Sequence, residues 1–114
     1  MEESVKKITW EDFTKIDMRV GTIIRAEVFK EARNPAYKIT VDFGEFGQLR
    51  SSAQITKQYT PEEIIGKQVI CVVNFPKKQI ATFMSECLIL GVISGDIVTL
   101  LSPERRVENG LKIG

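Results

Sequence analysis

Histidine is absent from the 114 residues of this chain. Its absence removes Ser-His and Cys-His nucleophile pairs, imidazole metal ligands and any histidine-based pH response. Cysteine is nearly absent: Cys71 and Cys87 are the 2 present, each inside an apolar run. They form no CxxC and are too few to close a tetrahedral metal site, so both are expected to be buried, reduced thiols. Neither charge sign is in excess, since 16 Lys and Arg face 15 Asp and Glu for a net charge of +1. That balance argues against a strongly basic, histone-like protein but leaves room for a local basic face. Long apolar runs are missing too. Residues 88–93, interrupted by Gly91, fall far short of the ~20 residues that span a bilayer. With no apolar signal region at the start of the chain, the expectation is a soluble, cytoplasmic protein without membrane insertion.

Catalytic parts are equally scarce. Ser51 and Ser52 sit in no Gly-x-Ser-x-Gly elbow, and adjacent glutamates occur only as Glu2-Glu3 and Glu62-Glu63. These are charges of a chain terminus and a helix start. No phosphate-cradling glycine loop is present. The composition therefore predicts a protein that is not an enzyme and needs neither cofactor nor metal.

What is present is β-branched and alternating. Residues 37–43, Tyr-Lys-Ile-Thr-Val-Asp-Phe, place large apolar groups on one face and polar groups on the other, as a half-buried strand does. Gly44 and Gly47 bracket a short loop to a second strand over 48–53, a hairpin. A long strand is predicted over 18–29, with Gly21 suggesting a bulge or bend. Further strands are predicted over 68–74, 86–93 and 97–101. Thr60, Pro61 and Glu63 make a capping box that Gly66 terminates, and a second short helix is expected over 10–15. No repeat or linker divides the chain, so residues 1–114 read as one domain. The fold class is all-β: a small closed or nearly closed barrel with short helices.

Two regions carry binding chemistry. Residues 74–85 offer Lys77 and Lys78 for phosphate, Phe75, Phe83 and Met84 as apolar surface, and Asn74, Gln79 and Ser85 as hydrogen-bonding groups. The same composition suits a structural loop whose lysines are merely solvated and whose phenylalanines cap the barrel. Residues 30–35 carry Arg33. In an OB-fold these two loops flank the face of the second and third strands, where Lys38, Thr40, Arg50 and Ser52 would show. Arg33, Lys38, Arg50, Lys77 and Lys78 then converge from separate stretches of sequence.

Asp12-Phe13-x-Lys15-Ile16-Asp17-Met18-Arg19-Val20-Gly21-Thr22-Ile23 resembles the opening signature of the tRNA-binding OB domains. These domains occur as stand-alone dimers and appended to methionyl- and phenylalanyl-tRNA synthetases. Residues 59–67, residues 74–85 and the closing Val107-x-Asn109-Gly110-x-Lys112-Ile113 are similar to later parts of the same family. Glu31-Ala32-Arg33-x-Pro35-Ala36, Ser51-Ser52-Ala53-Gln54-Ile55-Thr56 and Val73-Asn74-Phe75-Pro76 resemble its CsaA-type branch of secretion-related chaperones. The resemblance implies an all-β OB-fold, a five-stranded Greek-key β-barrel with short helices and terminal extensions, as a homodimer, together with binding of tRNA or a similar structured RNA and a role with unfolded or export-bound polypeptides. It also implies that Asn74, Lys78 and Ser85 face RNA and that Ser51 and Ser52 occupy the barrel face. Gln79, Thr82 and Met84 depart from residues common among relatives, and the lost positive charge weakens phosphate contact.

The candidate RNA-binding set is therefore Arg33, Lys38, Arg50, Ser51, Ser52, Asn74, Lys77, Lys78, Gln79 and Ser85. An apolar groove of Phe75, Phe83 and Met84 is the candidate polypeptide site. The alternative function is a polypeptide-binding chaperone that has lost appreciable RNA binding. Ile8, Trp10, Phe13 and Ile16 at one end, with Leu111 and Ile113 at the other, are too apolar for free tails. They serve either as lids on their own barrel or, as the resemblance implies for extensions 1–16 and 102–114, as a dimer interface.

Overall fold

The computed structural model describes residues 6–114. In chain order the elements are α1 (Trp10–Thr14), β1 (Met18–Val28), β2 (Tyr37–Asp42), β3 (Gln48–Ala53), α2 (Pro61–Ile64), β4 (Gln68–Val72), β5 (Lys78–Ile80), β6 (Phe83–Ser85), β7 (Leu88–Ile89), β8 (Gly91–Ser94) and β9 (Ile97–Leu100). β1, β2, β3, β4 and β7 form one antiparallel sheet in the order β3-β2-β1-β4-β7. The edge of β3 then closes on residues 85–87. Arg50 N donates to Glu86 Oε1 at 2.9 Å, Glu86 N to the Arg50 carbonyl at 2.7 Å, and Ser52 N to Ser85 Oγ at 3.2 Å. The result is a nearly closed, OB-like antiparallel barrel with few short helices. Side chains supply part of the last seam, which satisfies backbone groups an open edge would leave bare.

Binary pattern explains which faces are inside. Tyr37, Ile39 and Val41 of β2 are buried while Lys38, Thr40 and Asp42 are half-buried. Ile23, Ile39, Val41, Phe43, Ile64 and Val69 fill the barrel. Ile64 reaches the core from α2, whose capping box is complete: Glu63 N donates to Thr60 Oγ1 at 3.3 Å and Thr60 N to Glu63 Oε2 at 2.6 Å. Gly66 follows at φ +94, a left-handed stop favouring glycine.

β1 departs from the expectation at Gly21. Gly21 is in regular register opposite Val69, and the shift falls between Ile23 and Arg25, leaving Ile24 as the extra residue. A Cβ on Gly21 would meet Val41 Cγ1 at 2.5 Å and the Phe43 ring at 2.8 Å, so glycine here admits close packing rather than a bend. The bulge at Ile24 resets strand parity: Ile23 points into the core, yet Arg25 and Glu27 lie on the outer face.

Two stretches fold differently from expectation. Residues 74–85 contain a β-hairpin, β5–β6, in place of a plain loop, and residues 86–93 divide into β7 and β8 at Leu90. The carboxyl-terminal segment lies along β1. Gly110 N donates to the Val20 carbonyl at 2.7 Å, Val20 N to that of Leu111 at 3.0 Å, and Ile113 N to that of Met18 at 2.9 Å. Asn109 Oδ1 anchors it, accepting from Thr22 Oγ1 at 2.8 Å and Gln68 Nε2 at 3.0 Å.

Candidate nucleic-acid interface

Register alone sets the outer face of β1, β2 and β3. Arg25 lies opposite Thr40, which lies opposite Arg50; Glu27 lies opposite Lys38, which lies opposite Ser52. Adjacent strands are ~4.8 Å apart, so each row crosses three strands in about 10 Å. Arg25, Glu27, Lys38, Thr40, Arg50 and Phe83 line a recess of about 190 Å³ on this face.

An aromatic pair supports the recess from the side. Phe29 and Phe83 are buried with ring centroids 5.3 Å apart. Ala36 is buried with them, and Ala32 and Ile80 pack against the group. Lys38 Nζ lies 5.6 Å from the Phe29 centroid and Arg50 Cζ 4.6 Å from that of Phe83. These contacts pin the β1–β2 connection, which carries Arg33, against the β5–β6 hairpin, which carries Lys78. The two connections thus meet beside the recess, as an OB-type cleft requires.

The other candidates fall into distinct groups. Lys77 Nζ is 3.5 Å from Glu86 Oε2, whereas exposed Lys78 has no carboxylate partner among the described residues. Gln79 Nε2 donates to the Ala81 carbonyl at 3.0 Å, holding a hairpin tip where Ala81 adopts φ 54. Ser85 accepts from Ser52 N as part of the barrel seam. Ser51 is 1% exposed and points inward, so it is not on the barrel's outer face; period-two alternation puts Arg50 and Ser52 there instead. Asn74 is a clamp, its Nδ2 donating to the Lys15 carbonyl at 2.7 Å and its Oδ1 accepting from Asp17 N at 3.0 Å.

The expected apolar groove of Phe75, Phe83 and Met84 does not form. Phe83 is 5% exposed and committed to Phe29, Met84 is half-buried, and Phe75 is 54% exposed beyond the hairpin. A different groove, about 620 Å³, runs between the end of β3 and the β7–β9 region, with Ile55, Leu88, Ile93 and Val98 among its walls. Ile93 is 77% exposed there. Ile8, Trp10, Ile16 and Leu111 do not act as lids, since all are exposed and Trp10 is 72% so, while Phe13 and Ile113 are half-buried. Trp10 and Phe13 stack 5.5 Å apart on the surface.

Arg25, Glu27 and Phe29 are site residues that strand periodicity did not disclose. The signal was present as the doublet Ile23-Ile24, which breaks alternation just before Arg25. Among the described residues, no group of 3 or more His, Cys, Asp or Glu is placed to hold a metal.

Known proteins align with this architecture. The crystal structure of the chaperone CsaA from Bacillus anthracis superimposes with a TM-score of 0.91 at 50% identity, covering 96% of this chain and 100% of that one. The CsaA chaperone protein from Picrophilus torridus gives 0.89 at 54% identity over 95% of this chain and 100% of that one. Methionine–tRNA ligase of Pyrococcus furiosus is 32% identical over 113 residues, 98% of this chain but 15% of the enzyme's length. The chain therefore corresponds to a small part of that ligase. With its model matching residues 18–112, the family described as "Putative tRNA binding domain" is the one to which this chain belongs.

Proposed function

We propose that the protein is a non-catalytic, cytoplasmic binder of tRNA or a similarly structured RNA, held on the outer face of β1, β2 and β3. The observation that carries this reading is the convergence of Arg25, Lys38 and Arg50 on one recess, beside the hairpin bearing Lys78. Guanidinium and ammonium groups neutralise phosphates and release counterions, so a protein of net charge +1 binds a polyanion through a local patch. The family and its CsaA relatives support the same reading. The test is electrophoretic retardation of tRNA over a salt series. Affinity should fall steeply with salt, and Lys38→Ala with Lys78→Ala should flatten the log–log slope by about two. A signal that ignores salt refutes the proposal.

A second activity, chaperone-like binding of unfolded or export-bound polypeptides, is favoured by the apolar groove between β3 and β7–β9. Exposed Ile93 offers a contact for an extended apolar segment. Ile93→Ser should weaken suppression of aggregation of a denatured client while leaving tRNA retardation unchanged. Unaltered suppression would exclude this groove. The exposed belt of Ile8, Trp10, Ile16 and Leu111 is proposed to pair with a second copy in a homodimer.

A further inference from the structure

The outer recess mixes charges of opposite sign, and the mixture is selective. A site built for phosphate alone gains nothing from a carboxylate, yet Glu27 lines the same recess as Arg25 and Arg50. Lys38 Nζ meets Glu27 Oε2 at a long 3.8 Å, and the Glu27 side chain remains 51% exposed. Among the described residues, neither the Arg25 nor the Arg50 guanidinium has a carboxylate partner. The recess therefore presents free donors and a partly free acceptor side by side. At about 190 Å³ it is smaller than the roughly 300 Å³ at which sites for drug-sized ligands begin, which suits one nucleobase.

Stacking is restricted in the same way. The rings of Phe29 and Phe83 are buried against each other with Lys38 and Arg50 over them, so little of either ring is open to a base. The flat guanidinium of Arg50, supported beneath by Phe83, is the surface left for a base to stack upon. Arg25 and Glu27 lie two residues apart on β1, roughly 6.7 Å along the strand. Guanine is the RNA base with two adjacent acceptors, O6 and N7, on one edge and two adjacent donors, N1–H and the N2 amino group, on the neighbouring edge. An arginine pairs with the first edge and a carboxylate with the second.

We infer that the recess reads the guanine of an unpaired RNA nucleotide, with Arg25 at O6 and N7, Glu27 at N1 and N2, and Arg50 stacked on the base. This deepens, and rests on, the assignment of the β1–β3 face to RNA. A guanine held in a duplex has its donor edge occupied by cytosine, so the site takes loops, bulges or ends.

The test uses labelled octauridylates carrying one central G, A, C or U, with binding followed by fluorescence anisotropy. The G-bearing octamer should bind roughly 10-fold more tightly than the A-bearing one. Glu27→Ala should lower that ratio several-fold, leaving what Arg25 reads at O6, even though loss of a negative charge raises affinity for all four. Equal binding of the octamers by the unaltered protein overturns the inference, as does a ratio that Glu27→Ala leaves unchanged. GMP requiring far higher concentration than the G-bearing octamer supports an RNA occupant; GMP binding as tightly overturns that occupant in favour of a free nucleotide. Retardation of tRNA without any preference for G removes this inference alone. Absence of both tRNA and oligonucleotide binding removes the underlying assignment of the face as well.

Discussion

The guanidinium carbon of Arg50 lies 4.6 Å from the centroid of the Phe83 ring, joining β3 to the β5–β6 hairpin across the candidate interface. The contact orients a cation and covers a ring at once. Arg50→Ala should lower tRNA affinity several-fold and reduce the salt slope by about one. The cost in stability should be about 0.5–1 kcal/mol, the range of a solvent-accessible cation–π contact. Arg50→Lys should retain the slope but lose part of the affinity, because an ammonium lacks the planar stacking surface. A salt series on the two variants, with urea unfolding alongside, separates charge from geometry.

Phe83 and Phe75 belong to one short stretch yet should behave oppositely. Phe83 is buried against Phe29, so Phe83→Ala should cost about 3 kcal/mol, the lower end for a buried phenylalanine, since its cluster is small. Phe75→Ala, on an exposed ring, should fall within about 0.5 kcal/mol. Equal losses in urea midpoints at constant m-value would contradict the packing described.

Ala81 holds φ 54 in the two-residue connection between β5 and β6. An alanine there carries the Cβ clash of the left-handed region, worth roughly 1–2 kcal/mol, which glycine avoids at some cost in unfolded-state entropy. Ala81→Gly should therefore stabilise the protein by about 0.5–1 kcal/mol. A lower thermal midpoint would show that the tip is not held as described.

A hydrogen bond with the Cys87 thiol, and then burial, push the Cys71 thiol well above its ordinary 9.0. The native state thus keeps its proton when the unfolded chain has released it. The associated stability is complete below about pH 9 and declines as pH rises above it, by up to about 1.4 kcal/mol per unit. Cys71→Ala should flatten the alkaline limb of a stability–pH curve measured by urea unfolding. An unchanged limb would assign the alkaline loss to other groups.

Trp10 stacks on Phe13 in α1 but buries little of itself in its own chain. Trp10→Glu should leave the monomer fold intact, with a change in unfolding free energy within about 0.5 kcal/mol per folded chain. In the proposed homodimer it should shift sedimentation from dimer to monomer, because an isologous interface would place the new charge twice near its axis. Dimer retained at micromolar concentration would exclude this surface.

Strand alternation, the Thr60–Glu63 capping box and Gly66 are local signals, and each was legible because period-two patterning and helix capping depend on near neighbours along the chain. The barrel class and the outward aim of Lys38, Arg50 and Ser52 followed from them. The site did not follow in full. Gly21 carries the same letter whether it bends a strand or admits Val41 and Phe43, and only packing distinguishes the two. Ser51 was placed on the outer face by likeness to relatives although its parity turns it inward. Phe83 and Phe75 differ in burial because Phe29, 54 positions before Phe83 (83 − 29), supplies a partner to one and not to the other. What tertiary structure decided was the bulge at Ile24 and the docking of the β5–β6 hairpin, which together bring Arg25, Glu27 and Arg50 to one recess. Their proximity depends on strand register and long-range contacts, quantities no short window of sequence contains.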